Sequence, residues 1–200
     1  MPRVSEAHLA ARRQQILDAA RVCFTRNGFH ATSMQDVIAE AGLSVGAVYR
    51  YFRSKEELVA AIAEQIVGPI GSQLGRIVSA EPPLPLVEVL RRVLATVEPQ
   101  LGPDGAFRFA MQVWAESFRN PAFADLVRRI YGQLRGHFEV LARHAVQAGE
   151  LPPETDIEGA GAALFGLVPG YGVQRVLIGH PDPETYLAGV RALLDAKMSG

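Results

Sequence analysis

The sequence predicts an all-α protein of about nine helices. Apolar residues recur at helical spacing, i, i+3, i+4 and i+7, through nearly the whole chain. Capping residues and Gly or Pro breaks fall between those stretches where helices should start and stop. Strand-like alternation of useful length and internal repeats are both missing from the pattern.

The first helix carries Ile16, Ala19, Ala20, Cys23 and Phe24 on one face, and Gly28 stops it. Thr32 with Gln35 has the spacing of a capping box for a short second helix, whose inner stripe is Met34, Val37, Ile38 and Ala41. Gly42 ends that helix and Ser44 caps a third, which turns Val48 and Phe52 inward. Ser54 with Glu57 opens a fourth, with Leu58, Ile62 and Ile66 inward. Its pattern loosens beyond Gly68-Pro69, and Glu81-Pro82-Pro83-Leu84-Pro85 reads as a connector. A fifth helix follows over about 85–100. Gly102-Pro103-Asp104 breaks the chain and caps a sixth, which runs to about Arg119. Asn120-Pro121 starts a long seventh that Gly149 closes. Thr155 and Glu158 cap an eighth, ending near Gly179, and Asp182-Pro183 starts a ninth that runs to about residue 197.

With 200 residues and 48% hydrophobic content, the chain can bury a sizeable core. No unbroken apolar run approaches the roughly 18 residues of a membrane span, and the charged start MPRVSEAHLAARRQQ lacks a signal-peptide core. A cytoplasmic protein without a membrane partner is the reading. A single cysteine, Cys23, excludes an intramolecular disulfide and a CxxC site. No Ser-His-Asp set, paired carboxylates or phosphate loop anchors an enzyme, and no cofactor motif is present. His137 and His144 share a helix face but lack further ligands at suitable positions, so no metal site is expected. The net charge of -1 hides an asymmetry. Residues 1–55 hold eight basic and four acidic side chains, net +4, which leaves −5 for the rest. A basic head on an acidic body suits a head that meets phosphate.

That head has the helix-turn-helix pattern: two short helices joined by a glycine turn, set against a longer first one. Its third helix keeps only Val48 and Phe52 for the core. Gly46 and Ala47 are small enough for a major groove, Ala47 can touch a thymine methyl, and Arg50 can reach phosphate or guanine. Tyr49 and Tyr51 can donate to phosphate, although Tyr51 also suits half-buried packing. Lys55, in the first turn of the fourth helix, sits where an anion would bind. The same pattern also fits a module that binds another protein.

Residues 12–58 resemble the DNA-binding domain of the TetR family of bacterial transcription regulators. The GFHAT turn at 28–32, the IAEAGLS block at 38–44 and VYRYFRSK at 48–55 carry the resemblance. It implies a homodimeric repressor with a DNA-binding domain over 1–55 and a helical effector-binding and dimerisation domain over 56–200. The partners implied are a double-stranded operator and a small-molecule effector; an activator or a ligand-independent regulator of the same fold is the alternative. By position, Thr32 and Ser33 would approach phosphate, Ser44 would start the reading helix, Val45, Gly46 and Ala47 would face bases, and Tyr49, Arg50, Tyr51 and Lys55 would lie along the backbone. Position 45 is often a long polar residue in the family and position 47 often threonine. Valine and alanine here shift the expected specificity toward apolar contacts and DNA shape.

In the second domain, Phe107, Met111, Trp114 and Phe118 form a helical stripe that is either core or one wall of a pocket for an apolar or aromatic effector. Tyr131, Leu134 and Phe138 would supply a second wall, and Phe165 and Tyr171 would close it. Gln112, Tyr131, Tyr171 and Gln174 are the candidate orienting groups. The eighth helix contains Gly159, Gly161, Gly166, Gly170 and Gly172, with Pro169 inside. Small residues permit close approach, and Pro169 predicts a kink near Phe165–Val168. The resemblance implies that helices near 155–179 and 182–197 form the dimer interface.

Overall fold

The computed structural model describes residues 6–102 and 105–195. Among these residues the elements are nine α-helices and one 3₁₀ turn: α1 (Glu6–Ala31), α2 (Met34–Ala41), α3 (Val45–Tyr49), α4 (Lys55–Val78), α5 (Leu86–Val97), the 3₁₀ turn Glu98–Gln100, α6 (Ala106–Ser117), α7 (Pro121–Gln147), α8 (Ile157–Ile178) and α9 (Pro183–Asp195). The all-α expectation holds. Pro103 and Asp104, expected to break and cap the chain before α6, lie outside the described residues, as does the expected end of the last helix near 197.

Packing divides the chain into two compact units. One holds the described residues up to Ile66 together with Phe109–Val127, and the other holds Val67–Arg108 and the described residues from Arg128. The functional boundary expected at 55/56 therefore falls within the first packing unit. In that unit Ile16, Leu17, Ala20, Cys23 and Phe24 of α1 are buried, as are Val37 and Ile38 of α2, Val48 of α3, and Leu58 and Ile62 of α4. Ile66 is only half-buried. Burial raises the Cys23 thiol pKa, and the Glu40 charge adds to the effect. Gly28 interrupts α1 with φ 78, a left-handed value that favours glycine.

Several helix starts differ from the expectation by one residue. Ser33, not Thr32, caps α2: Ser33 Oγ accepts from the Asp36 backbone N–H, and the Asp36 carboxylate accepts from the Ser33 backbone N–H. Thr32 is committed elsewhere, because it is buried and its hydroxyl points at the carbonyls of Cys23 (3.1 Å) and Gly28 (2.7 Å). At α4 the Glu57 carboxylate reaches back to the backbone N–H of Arg53, so the box with Ser54 is only half made. Asp156, not Thr155, caps α8 and accepts from Glu158 and Gly159.

α4 continues unbroken past Gly68-Pro69, where the sequence pattern loosens, to Val78. A proline inside a helix costs about 3 kcal/mol. Burying Leu74 and Val78 in the second unit offsets it, at about 1.5–3 kcal/mol for each large apolar side chain. The second core joins these two to Leu86, Leu90 and Leu94 of α5, Phe138 and Leu141 of α7, Tyr171 of α8 and Leu187 of α9. α8 runs as one helix through Pro169, and Tyr186 of α9 donates its hydroxyl to the Leu167 carbonyl (2.8 Å), two residues before the proline. By length and composition α8 is apolar enough to cross a membrane, with mean hydropathy 1.2, although no unbroken apolar run in it reaches that length. Gly and Ala between its larger residues interrupt those runs without making the helix polar. Only 22% of that stretch is buried within the chain.

Candidate functional site

In the first unit, α3 is held from beneath and open above. Val48 is fully buried and Phe52 nearly so, while Ser44, Val45, Gly46, Tyr49 and Arg50 are exposed. Ser44 Oγ accepts from the Ala47 backbone N–H at 3.3 Å and so caps the start of α3. Gly42 makes the turn before it with φ 63. A Cβ added at Gly46 would meet no atom of the chain within 4 Å, so internal packing does not demand a glycine there. Ala47 and Tyr51 are half-buried. The Arg13 guanidinium lies 5.3 Å from the Phe52 ring centroid, and Gln15 donates to the Ala41 carbonyl at 2.8 Å, closing the end of α2.

Two residues expected on the phosphate side sit elsewhere. Thr32 is turned inward, as described above. The Lys55 ammonium donates to the carbonyls of Phe29 (2.9 Å) and Thr32 (2.7 Å) and stands 4.4 Å from the Phe29 ring centroid. Ser33 remains exposed, although its hydroxyl is engaged with Asp36.

The residues expected around one pocket are distributed between the two units. Met111, Gln112, Trp114 and Phe118 belong to the first, and Phe107, Tyr131, Leu134, Phe138, Phe165, Tyr171 and Gln174 to the second. The continuous α6 stripe breaks down at Phe118, which falls just past the end of α6 and is 88% exposed. Gln112 lines a small hollow in the first unit with Phe24, Phe29, Val59, Phe109 and Phe123. Trp114 and Met111 are half-buried.

In the second unit a small apolar cleft of about 50 Å³, open to solvent at its mouth, lies among α4, α5, α7 and α8. Of the expected residues, Leu134, Phe138 and Phe165 line it. Phe165 packs edge-on against Phe138 and Tyr131 at 5.7 and 5.0 Å between centroids, so Tyr131 backs this wall. Tyr171 and Gln174 are not among the lining residues: Tyr171 is fully buried and donates to Glu98 at 2.5 Å, and Gln174 donates to the Gly170 carbonyl of its own helix. Phe107 packs against Gly172, where a Cβ would come within 2.5 Å of its ring. The lining contains one polar side chain, Thr96, and its hydroxyl already donates to the Arg92 carbonyl.

Both halves of the chain match known sequence families. Residues 16–62 match the model of bacterial regulatory proteins of the tetR family, and residues 86–198, more than half of the chain, match the C-terminal model of BetI-type transcriptional repressors. The chain belongs to the tetR family. It is a DNA-binding transcriptional regulator. Among its relatives, the HTH-type transcriptional repressor Rv1474c of Mycobacterium tuberculosis is 46% identical over 65 residues, 32% of this chain and 35% of that one. The probable HTH-type transcriptional regulator ArpR of Pseudomonas putida is 28% identical over 92% of this chain and 88% of its own length. Salmonella enterica GusR has the same fold, with a TM-score of 0.77 and 25% identity over 98% of both chains. A transcriptional regulator from Saccharomonospora viridis, solved in complex with choline, superposes with a TM-score of 0.72 at 22% identity, covering 93% of this chain and 96% of that one.

Sequence reasoning missed most of the regulator's cleft. Ile70, Leu74 and Ile77 of α4 and Val93, Thr96 and Val97 of α5 line it, as does Val168 of α8. The i, i+4, i+7 stripe at 70, 74 and 77 was present to be read, but Pro69 masked it by suggesting that the helix had ended.

Proposed function

We propose that this regulator is a cytoplasmic, ligand-responsive repressor that binds a pseudo-palindromic operator as a homodimer and is released by a small, uncharged apolar effector. On the DNA side, Val45, Gly46 and Ala47 face base edges. Ser33, Ser44, Tyr49 and Arg50 approach the phosphate backbone, with Tyr51 at the margin. Thr32 contributes by holding the turn in front of α2. Open space above Gly46 supports this assignment, because a groove needs the room that the core does not. Two copies of α3 would stand roughly 34–36 Å apart, one turn of DNA. The dimer is assigned to α8 and α9, where Leu177, Ile178 and Leu193 are exposed and much of an apolar helix is left uncovered.

The cleft carries the effector reading. Its walls are aliphatic or aromatic and its one hydroxyl is spent on a helix carbonyl. A charged ligand there would lose its hydration without gaining a partner. Choline is the second reading, favoured by the Saccharomonospora relative solved with it. The absence of a carboxylate from the lining weighs against it. An effector acts only through its different affinity for the DNA-competent and incompetent states. Neutral aromatic and alicyclic compounds are expected to raise the melting temperature and release operator DNA in a gel shift, and choline to do neither. Release by choline but by no neutral compound would sink the apolar assignment. Run-off transcription from the operator-bearing promoter separates repression from activation.

A further inference from the structure

Lys55 opens α4, where a cation opposes the helix dipole. Its side chain serves another helix. The ammonium donates to Phe29 and Thr32, two carbonyls that bracket the turn from α1 into α2, and stands over the Phe29 ring. Gly28 breaks the regular part of α1, so the Phe29 and Thr32 carbonyls lie in the turn beyond it, where a side-chain donor can satisfy them. Thr32 immediately precedes Ser33, the cap of α2. Two of the three ammonium donors go to backbone and the ring faces the charge, so the group is committed within the fold.

We infer that Lys55 is a positioning residue that fixes the start of α2, and with it α3, relative to α4, rather than a group that neutralises a DNA phosphate. α2 is then pinned at both ends: by Lys55 at its start and by Gln15, through the Ala41 carbonyl, at its finish. The same turn is tied further. Phe29 packs edge-on against Phe123 of α7 at 4.9 Å between centroids, and His30 Nε2 lies 2.8 Å from a Glu116 carboxylate oxygen of α6. Attachments from α4, α6 and α7 therefore converge on the residues that set the approach of α2. The inference rests on α3 being the helix that reads DNA.

Salt dependence separates the two roles, because each phosphate that the protein ceases to neutralise lowers the slope of log K against log salt by about 0.9. Binding is measured on an operator duplex recovered by selection and on a scrambled duplex of equal length. The proteins are wild type, Lys55→Met, Phe29→Leu and, as a phosphate control, Arg50→Ala, each checked for helical content by circular dichroism. Lys55→Met is expected to lose about ten-fold or more on the operator, less on the scrambled duplex, with the slope unchanged. Phe29→Leu, which keeps the charge, is expected to lower the operator-to-scrambled ratio in the same direction; should Lys55→Met not fold, it decides alone. Arg50→Ala is expected to lower the slope by about 1 on both duplexes. A lowered slope with equal losses on both duplexes for Lys55→Met, or an unchanged ratio for Phe29→Leu, overturns the inference. Wild-type protein that binds neither duplex removes the DNA-reading role of α3 and the inference with it.

Discussion

Glu98 ties the 3₁₀ turn to α8 through two hydrogen bonds, accepting from the Tyr171 hydroxyl at 2.5 Å and from the Arg175 guanidinium at 2.7 Å. Burial is the largest single influence and pushes its carboxyl up. The hydrogen bonds from Arg175 and Tyr171 and the Arg175 charge together outweigh it, so the group is held below its ordinary value of 4.5. Burial, then the bond to Glu98, pushes the Tyr171 phenol up. A carboxyl depressed in the folded state stabilises the fold fully above its unfolded value and loses that contribution as pH falls through the lowered one. Glu98→Gln is therefore expected to melt lower than wild type at neutral pH, with the gap closing as pH falls below about 4.5. Thermal denaturation of both proteins from about pH 7 down to pH 3 checks it, and parallel curves would contradict it. Thr32 and Lys55 show at the same scale how local contacts qualify a reading by position. Both look like phosphate ligands by position, yet the Thr32 hydroxyl points at carbonyls of α1 and two of the three Lys55 donors go to carbonyls around the α1–α2 turn.

The glycines of α8 answer to different causes. A Cβ at Gly161 would come within 2.9 Å of the Glu139 backbone of α7, and one at Gly172 within 2.5 Å of the Phe107 ring, so both mark close approaches within the chain. A Cβ at Gly166 would meet nothing. Gly161→Ala is expected to cost about 1–3 kcal/mol by overpacking. Gly166→Ala is expected to stabilise an uncovered helix by up to about 1 kcal/mol. Chemical denaturation read together with sedimentation distinguishes the cases: a Gly166→Ala protein that is less stable and dissociates places a second copy over that face. The nine helices were legible in the sequence because periodicity and caps agree over most of the chain. α4 beyond Pro69 was not, because local propensity stops there while burial of Leu74 and Val78 carries the helix on. The outward set on α3 was legible because Val48 and Phe52, at i and i+4, fix its orientation. The cleft was legible only at Leu134, Phe138 and Phe165, since a helical stripe says which residues share a face but not which neighbour covers it. Phe118 is the plain case: it follows the stripe and lies bare.

For the whole molecule, a near-neutral chain can bind DNA because its positive charge is local. Within the head Arg26 pairs with Glu40 and Lys55 is held on carbonyls, so Arg50 is the basic side chain exposed at the end of α3. If Val45, Gly46 and Ala47 face the bases as proposed, few direct base hydrogen bonds can come from them, and DNA shape and thymine methyl contacts would have to discriminate. On the proposed reading, specificity on those terms needs two copies of α3 at a fixed separation. The most direct measurement is selection of bound genomic fragments by the purified protein, followed by footprinting of the recovered site. Two related half-sites with centres about one helical turn apart are the expected result. A folded dimer that retains no fragment over scrambled DNA, or a footprint confined to a single half-site, would contradict the account.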